Sequence, residues 1–408
     1  MVRLFLNFFK EKDISIGTRV LTYATSVRWI GWGFAETLIS VFIFSFATSY
    51  AQAGLLKSMY EIALIIMLPL AGIFADRIKP TTIILIGLSL YVIVGTSYLF
   101  AGLTGLAIFI VIARLFNGFG AALDSVGRET YFRRNNLPSK LATVFGYFDT
   151  VANFWWIVAA LFGIILVKFV SIHWLLFLIV PTVIISIFIV WKWGRKNDSA
   201  PVVADGQKAN YKDLIREFKS WNLQLKLITG FNFFIAFTGS IISFFLPIQM
   251  FTEGSGYTPI ILLGVIVTIP VLFGWVLGKL FDKKGMRVFV YGLIAYGVLL
   301  LFLGNTHIYG WQILLAFLIG IIQEFIHVGK MELTSFYANS EHFGRVDGFM
   351  QSIINIGIMT GPLVAGILID VYDTRVVYFG LAFLMLMLAF TFAVGGRMMR
   401  FQKLKENL

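Results

Sequence analysis

The sequence predicts an all-α integral membrane protein: twelve transmembrane helices forming two pseudo-symmetric six-helix bundles. Three observations lead there. Of the 408 residues, 59% are hydrophobic and only 13% charged, about half the charged share of a soluble domain. Twelve apolar runs recur, each near the ~20 residues a helix needs to cross a bilayer. One long hydrophilic connector separates the first six runs from the last six. Apolar surface on this scale excludes a water-soluble enzyme, and it equally excludes a disordered chain, which needs low hydrophobicity. With no Cys there is no disulfide framework, Cys-ligated metal or thiol redox motif.

The runs fall at 20–47, 51–75, 81–101, 104–129, 141–168, 172–193, 223–252, 258–281, 287–304, 309–337, 344–371 and 375–397. Residues 1–19 are mixed in charge and lack a small-residue cleavage site, so they read as a cytoplasmic tail and not a cleavable leader. An even number of spans puts both ends on one side. Of 33 Lys+Arg, 28 lie in the tails and loops of that side. Only Lys168 and Arg375 lie on the other, while Arg28, Lys57 and Arg114 lie inside spans. The bias places both termini in the cytoplasm and the chain in the cell (inner, plasma) membrane. It also accounts for the net charge of +12 without any nucleic-acid partner.

Residues 1–193 are thus expected to form an N-terminal bundle and 223–408 a C-terminal bundle. Residues 194–222 join them. NDSAPVVADGQ (197–207) has the composition of a flexible linker. KANYKDLIREFKSWN (208–222) sets Tyr211, Leu214, Ile215, Phe218 and Trp221 on one side at helical spacing, the pattern of an amphipathic helix lying in the membrane interface.

The two halves echo each other. Gly72-Ile-Phe-Ala-Asp76-Arg77 after span 2 matches Gly278-Lys-Leu-Phe-Asp282-Lys283 after span 8. Val126-Gly127-Arg128 matches Val328-Gly329-Lys330. Gly146, Asp149 and Asn153 match Gly348, Gln351 and Asn355. The offset is nearly constant, the mark of an internal repeat. On these residues the chain resembles the major facilitator superfamily. GIFADRIKPTT (72–82) is similar to that family's signature between spans 2 and 3, departing from it at Pro80 and Thr81. ARLFNGFGAA (113–122) is similar to its span-4 motif. The Gly-Pro motif that proton-driven antiporters carry in span 5 is absent from NFWWIVAALFGIIL (153–166), and a Gly-Pro pair stands instead in span 11, in GIMTGPLVAG (357–366). The resemblance implies a transporter fold, a gating role for Asp76, Arg77, Asp282 and Lys283, and a cavity-facing Arg114.

A charge at bilayer depth costs a few kcal/mol or more, so it should face a wet cavity or a partner. In span 4, Arg114, Asn117, Ala121, Asp124 and Arg128 recur at alternating intervals of three and four, one face of one helix. Trp32, Glu36 and Ser40 line span 1, with Arg28 a turn earlier; Asp149, Asn153 and Trp156 share a face of span 5; Gln323, Glu324, His327 and Lys330 share a face of span 10. Glu36 has no Lys or Arg within four residues, which makes it the candidate proton carrier, with Asp149 or Glu324 and His327 as helpers. The competing reading is a permanent ion pair, for which Arg114 is the partner to expect. Glu61 one turn from Lys57 reads as a local pair. His173 and His307 fall in outer connections, and the four His show no ligand spacing, so no metal or other cofactor is expected.

These observations point to a secondary active transporter rather than an enzyme. No G-x-x-x-x-G-K-[ST] loop is present for ATP, and no paired nucleophile and base emerges. The expected activity is proton-coupled export, by alternating access, of a small lipophilic or cationic compound bound near mid-membrane between the bundles. Lipid or lysolipid translocation and proton-coupled uptake of a small solute are the alternatives. Partners are then the substrate, protons and the bilayer, with the chain acting as a monomer.

Overall fold

The computed structural model describes residues 14–137, 141–197, 221, 223–273, 286–337 and 343–398. The connector helix expected over 208–222 lies outside them apart from Trp221. The described chain is helical throughout. Its long elements are α1 (Ile16–Gly33), α2 (Ile39–Phe44), α3 (Tyr50–Arg77), α4 (Pro80–Thr104), α5 (Ile108–Asn135) and α6 (Leu141–Leu166). There follow α7 (Ile172–Phe177), α8 (Ile179–Lys192), α9 (Leu223–Thr252), α10 (Tyr257–Thr268) and α11 (Met286–Leu303). The last three are α12 (Tyr309–Tyr337), α13 (Phe343–Val371) and α14 (Thr374–Met398).

Among the described residues, nine helical stretches are long and apolar enough to cross a membrane, and α1 with the Glu36–Phe44 segment makes a tenth, bent span. Two shorter apolar stretches, Tyr257–Phe273 and Val290–Leu303, stand where spans 8 and 9 are expected. The protein is a multi-pass membrane protein. Phe169, Phe383 and Phe390 are among many large apolar side chains left exposed; on a bilayer-embedded helix such surface meets lipid and costs nothing.

Local chemistry fixes the helix ends. Ser15 caps α1, its hydroxyl accepting from the Thr18 N–H at 3.2 Å. Pro80 opens α4, where its missing N–H is no loss. Gly105, at φ 73°, closes α4 by donating to the Ala101 carbonyl, a left-handed cap that glycine adopts without strain.

The described residues group into two compact units. The first comprises Met1–Thr48, Leu56–Gln207 and Tyr257–Val265; the second comprises Ser49–Leu55, Lys208–Gly256 and Ile266–Leu408. In the first, α4 packs along α5, and α1 packs on α6 and α8. Small residues let these helices close up: a Cβ on Gly118 of α5 would sit 2.2 Å from the Tyr60 carbonyl of α3. In the second unit, α9 packs on α13 and α11 on α14.

Just beyond the end of α9, the Glu253 carboxylate ties the second unit together. It accepts from Gln249 Nε2 at 2.9 Å and Gln312 Nε2 at 2.8 Å, and pairs with His307 Nδ1 at 2.7 Å. Tyr309 donates its hydroxyl to the Glu253 backbone carbonyl at 2.6 Å. Burial alone would raise this carboxyl, but the hydrogen bonds from Gln249, His307 and Gln312 outweigh it and hold the group below the ordinary glutamate range. A carboxyl with a depressed folded pKa adds stability above its unfolded value, near pH 4.3, and loses it as pH falls through the folded one. The native protein is therefore expected to melt above Glu253→Gln at neutral pH in detergent, with the gap closing in acid. A gap that stays constant down to pH 3 would show that the carboxylate adds nothing.

Candidate functional site

The site is built around a break in the first span. Gly31 and Gly33 weaken the end of α1. Ala35, at φ −148° and ψ 10°, leaves the helical ladder, its N–H returning to the Trp32 carbonyl at 3.2 Å. A single 3-10 turn, Glu36–Leu38, follows, and the helix resumes at Ile39 with a bend of 45°. Glu36 opens that turn and is exposed. The indole N–H of Trp156, buried on α6, donates to its carboxylate at 2.5 Å. The fields of Arg28 and Arg114 reach Glu36, yet among the described residues its carboxylate is in no ion pair.

Two buried charge clusters flank it. In the first, Arg114 of α5 is 5% exposed. It donates to the Lys57 backbone carbonyl at 3.0 Å and lies 4.9 Å from the centre of the Tyr60 ring. Lys57 donates to Glu61, which is 2% exposed. The expected local pair is therefore present. The partner expected for Glu36 is engaged elsewhere, by the Lys57 carbonyl and the face of the Tyr60 ring. Its buried Nε has no hydrogen-bond partner.

In the second cluster, Asp124 accepts from Arg28 at 3.0 Å and from Arg128 at 2.7 Å. The second cation is accommodated by aromatic faces: Arg28 lies 4.8 Å from the Tyr91 ring centre and Arg128 4.5 Å from that of Phe148. Asn117 is buried on the same face of α5.

The other expected residues take no part in these ion pairs among the described residues. Asp149 is exposed, and Asn153 Nδ2 donates to its backbone carbonyl at 2.8 Å. In the second unit, Gln323 donates to the Tyr296 hydroxyl at 2.7 Å. Glu324 is half-buried and His327 exposed. Arg77 is exposed at the end of α3; the Asp76 side chain, Asp282 and Lys283 lie outside what is described. Among the described residues, no group of His, Cys, Asp or Glu is placed to hold a metal ion.

Sequence reasoning missed the three tyrosines. Tyr91 and Tyr98 stand seven residues apart on one face of α4, a spacing that could have marked them as partners for the buried arginines. It also missed that Arg28 of span 1 reaches Asp124 in span 4.

Against this geometry, the comparisons with known proteins are consistent. The quinolone resistance protein NorA of Staphylococcus aureus is 22% identical over 381 residues, covering 88% of this chain and 91% of that one. The multidrug resistance protein MdtG of Enterobacter lignolyticus is 27% identical over 181 residues, 43% of each chain. Among solved structures, a mutant of the nucleoside transporter NupG superimposes with a TM-score of 0.75 at 16% identity, over 93% of this chain and 99% of that one. A bacterial homologue of the human lysosomal transporter Spinster gives 0.73 at 15%, over 93% and 96%. The last two establish the fold. The profile of the Major Facilitator Superfamily matches residues 21–346 and 287–400, and the chain belongs to that superfamily.

Proposed function

We propose that the protein is a proton-coupled exporter of small lipophilic compounds working by alternating access, with Glu36 as the proton carrier. The observation that carries this reading is the Glu36 carboxylate on a broken first span, held by an indole donor and left outside the buried ion pairs. A carboxylate locked to a cation cannot cycle its proton cheaply. One held by a neutral N–H can, since losing its charge forfeits one hydrogen bond and no ion pair. The similarity to NorA and MdtG supports export and a bacterial plasma-membrane location. The cytoplasmic placement of both termini rests on the charge bias of the loops. Asp149 and the Glu324 and His327 pair remain assigned as secondary proton sites, and Asp76, Arg77, Asp282 and Lys283 as gating residues.

Purified protein in liposomes with an imposed pH gradient tests this, with ethidium and a fluorescent quinolone as probes. Uphill movement of either dye against the proton gradient, collapsed by a protonophore, is the expected result. Dye flux that is the same with and without the gradient sinks proton coupling. Flux of short-chain fluorescent phospholipid in place of either dye would favour lipid translocation.

The hydrogen bond from Trp156 gives a separate prediction. Trp156→Phe removes the donor and keeps the ring, so the carboxylate loses a charge-assisted bond of roughly 1.5–3 kcal/mol. The pH at which transport is half-maximal is expected to move upward by about one unit or more. An unchanged pH profile would show that Trp156 is packing alone.

A further inference from the structure

The start of α3 is held by a residue from the far end of the chain. The Tyr50 N–H donates to Asp370 Oδ1 and the Ala51 N–H to Asp370 Oδ2, each at 2.8 Å. The Ser49 hydroxyl bonds the same carboxylate. These are donors that the first turn of a helix cannot satisfy internally, and the positive end of the helix dipole adds to the attraction. Asp370 is the penultimate residue of α13, so the contact is made across 320 residues of sequence.

Shape reinforces the charge. A Cβ on Gly366, one turn before Asp370, would sit 2.4 Å from the Tyr50 carbonyl, and one on Gly54 would sit 2.2 Å from the Pro362 carbonyl. Backbone meets backbone on both sides, and Ala53 is fully buried in the seam. All these residues lie in the second unit. The rest of α3, from Leu56 onward, belongs to the first and carries Lys57, Tyr60 and Glu61 of the charged centre.

We infer that Asp370 is a latch. Its carboxylate fastens the first turn of α3 to α13 in the state seen here, and the transport cycle must release that turn while the rest of α3 keeps its charged cluster. A carboxylate capping exposed N–H groups suits this, because water can replace it on release at little cost, whereas an apolar seal would have to be wetted. The inference rests on the transporter reading, and its placement at the outer face rests on the charge bias of the loops.

The chain has no Cys, so Ala53→Cys provides a single reporter on a buried position of the seam. Its reaction with a membrane-impermeant maleimide is measured in right-side-out vesicles and again after permeabilisation, and needs no knowledge of the substrate. In the otherwise native chain, labelling is expected to be slow. Asp370→Asn removes the charge and one acceptor, and is expected to speed labelling on the order of tenfold. Asp370→Glu, which keeps the charge, is expected to stay nearer the native rate. Should Asp370→Asn not fold, Gly366→Ala tests the same seam by shape, with the charge untouched, and is expected to speed labelling likewise. An Asp370→Asn protein that labels at the native rate overturns the latch. So does a folded Gly366→Ala protein with an unchanged rate. Acceleration seen only after permeabilisation upholds the latch and overturns its outer placement. Acceleration without dye transport by the native protein upholds the latch and counts against the export reading alone.

Discussion

Glu36→Gln is expected to abolish uphill dye export driven by a pH gradient while leaving the protein folded. The amide keeps the size of the side chain and can still accept from Trp156, so the break in span 1 and its seat on α6 should survive. The amide cannot exchange a proton at working pH. Gradient-driven accumulation should therefore fall to that of protein-free liposomes. Downhill exchange of dye, which needs no net proton movement, should continue. Equal responses of native and variant protein to an imposed gradient would remove Glu36 from the mechanism and turn attention to Asp149, an exposed residue of α6.

The second large effect concerns stability. Asp124 is the sole carboxylate in ion-pair contact with Arg28 and Arg128 among the described residues, and its side chain and that of Arg28 are 4% and 7% exposed. Asp124→Ala strands Arg28 away from water. Removing one partner of such a pair costs about 3–5 kcal/mol, mostly as the penalty of the uncompensated charge. A lower melting temperature in detergent and a reduced yield of folded protein are expected. Replacing Arg28 and Asp124 together by apolar residues, Arg28→Met with Asp124→Leu, should recover part of the loss, since a buried pair is often no better than good packing, while Arg128, its side chain 12% exposed, keeps the Phe148 face but loses its carboxylate. If Asp124→Ala melts with the native protein, the cluster is wet and the buried-pair description is wrong. If the double variant is stable yet inactive in dye export, the pair belongs to the transport cycle.

These residues also show what could be read in advance. Span count and the polar face of span 4 were legible, because a bilayer permits few solutions: apolar length sets the spans, and helical spacing sets which polar groups share a face of an unbroken helix. The Lys57 and Glu61 pair was legible for the same reason, being local to one helix turn. Which face meets which neighbour was not. Arg114 was expected to answer Glu36, and instead lies on the Lys57 carbonyl and the rings around it. Arg28 answers Asp124, 96 residues away. No sequence spacing encodes such pairings, since they depend on how helices are rotated and stacked.

From the sequence alone, then, came the membrane class, the twelve spans, the twofold repeat and the ionisable residues worth attention, all set by hydrophobic length and short-range periodicity. The tertiary structure decided that Glu36 stands at a helix break on an indole N–H, that Asp124 holds two arginines, and that Asp370 caps the start of α3. Each of these joins groups on different helices, and only packing fixes the distances over which their charges and donors act.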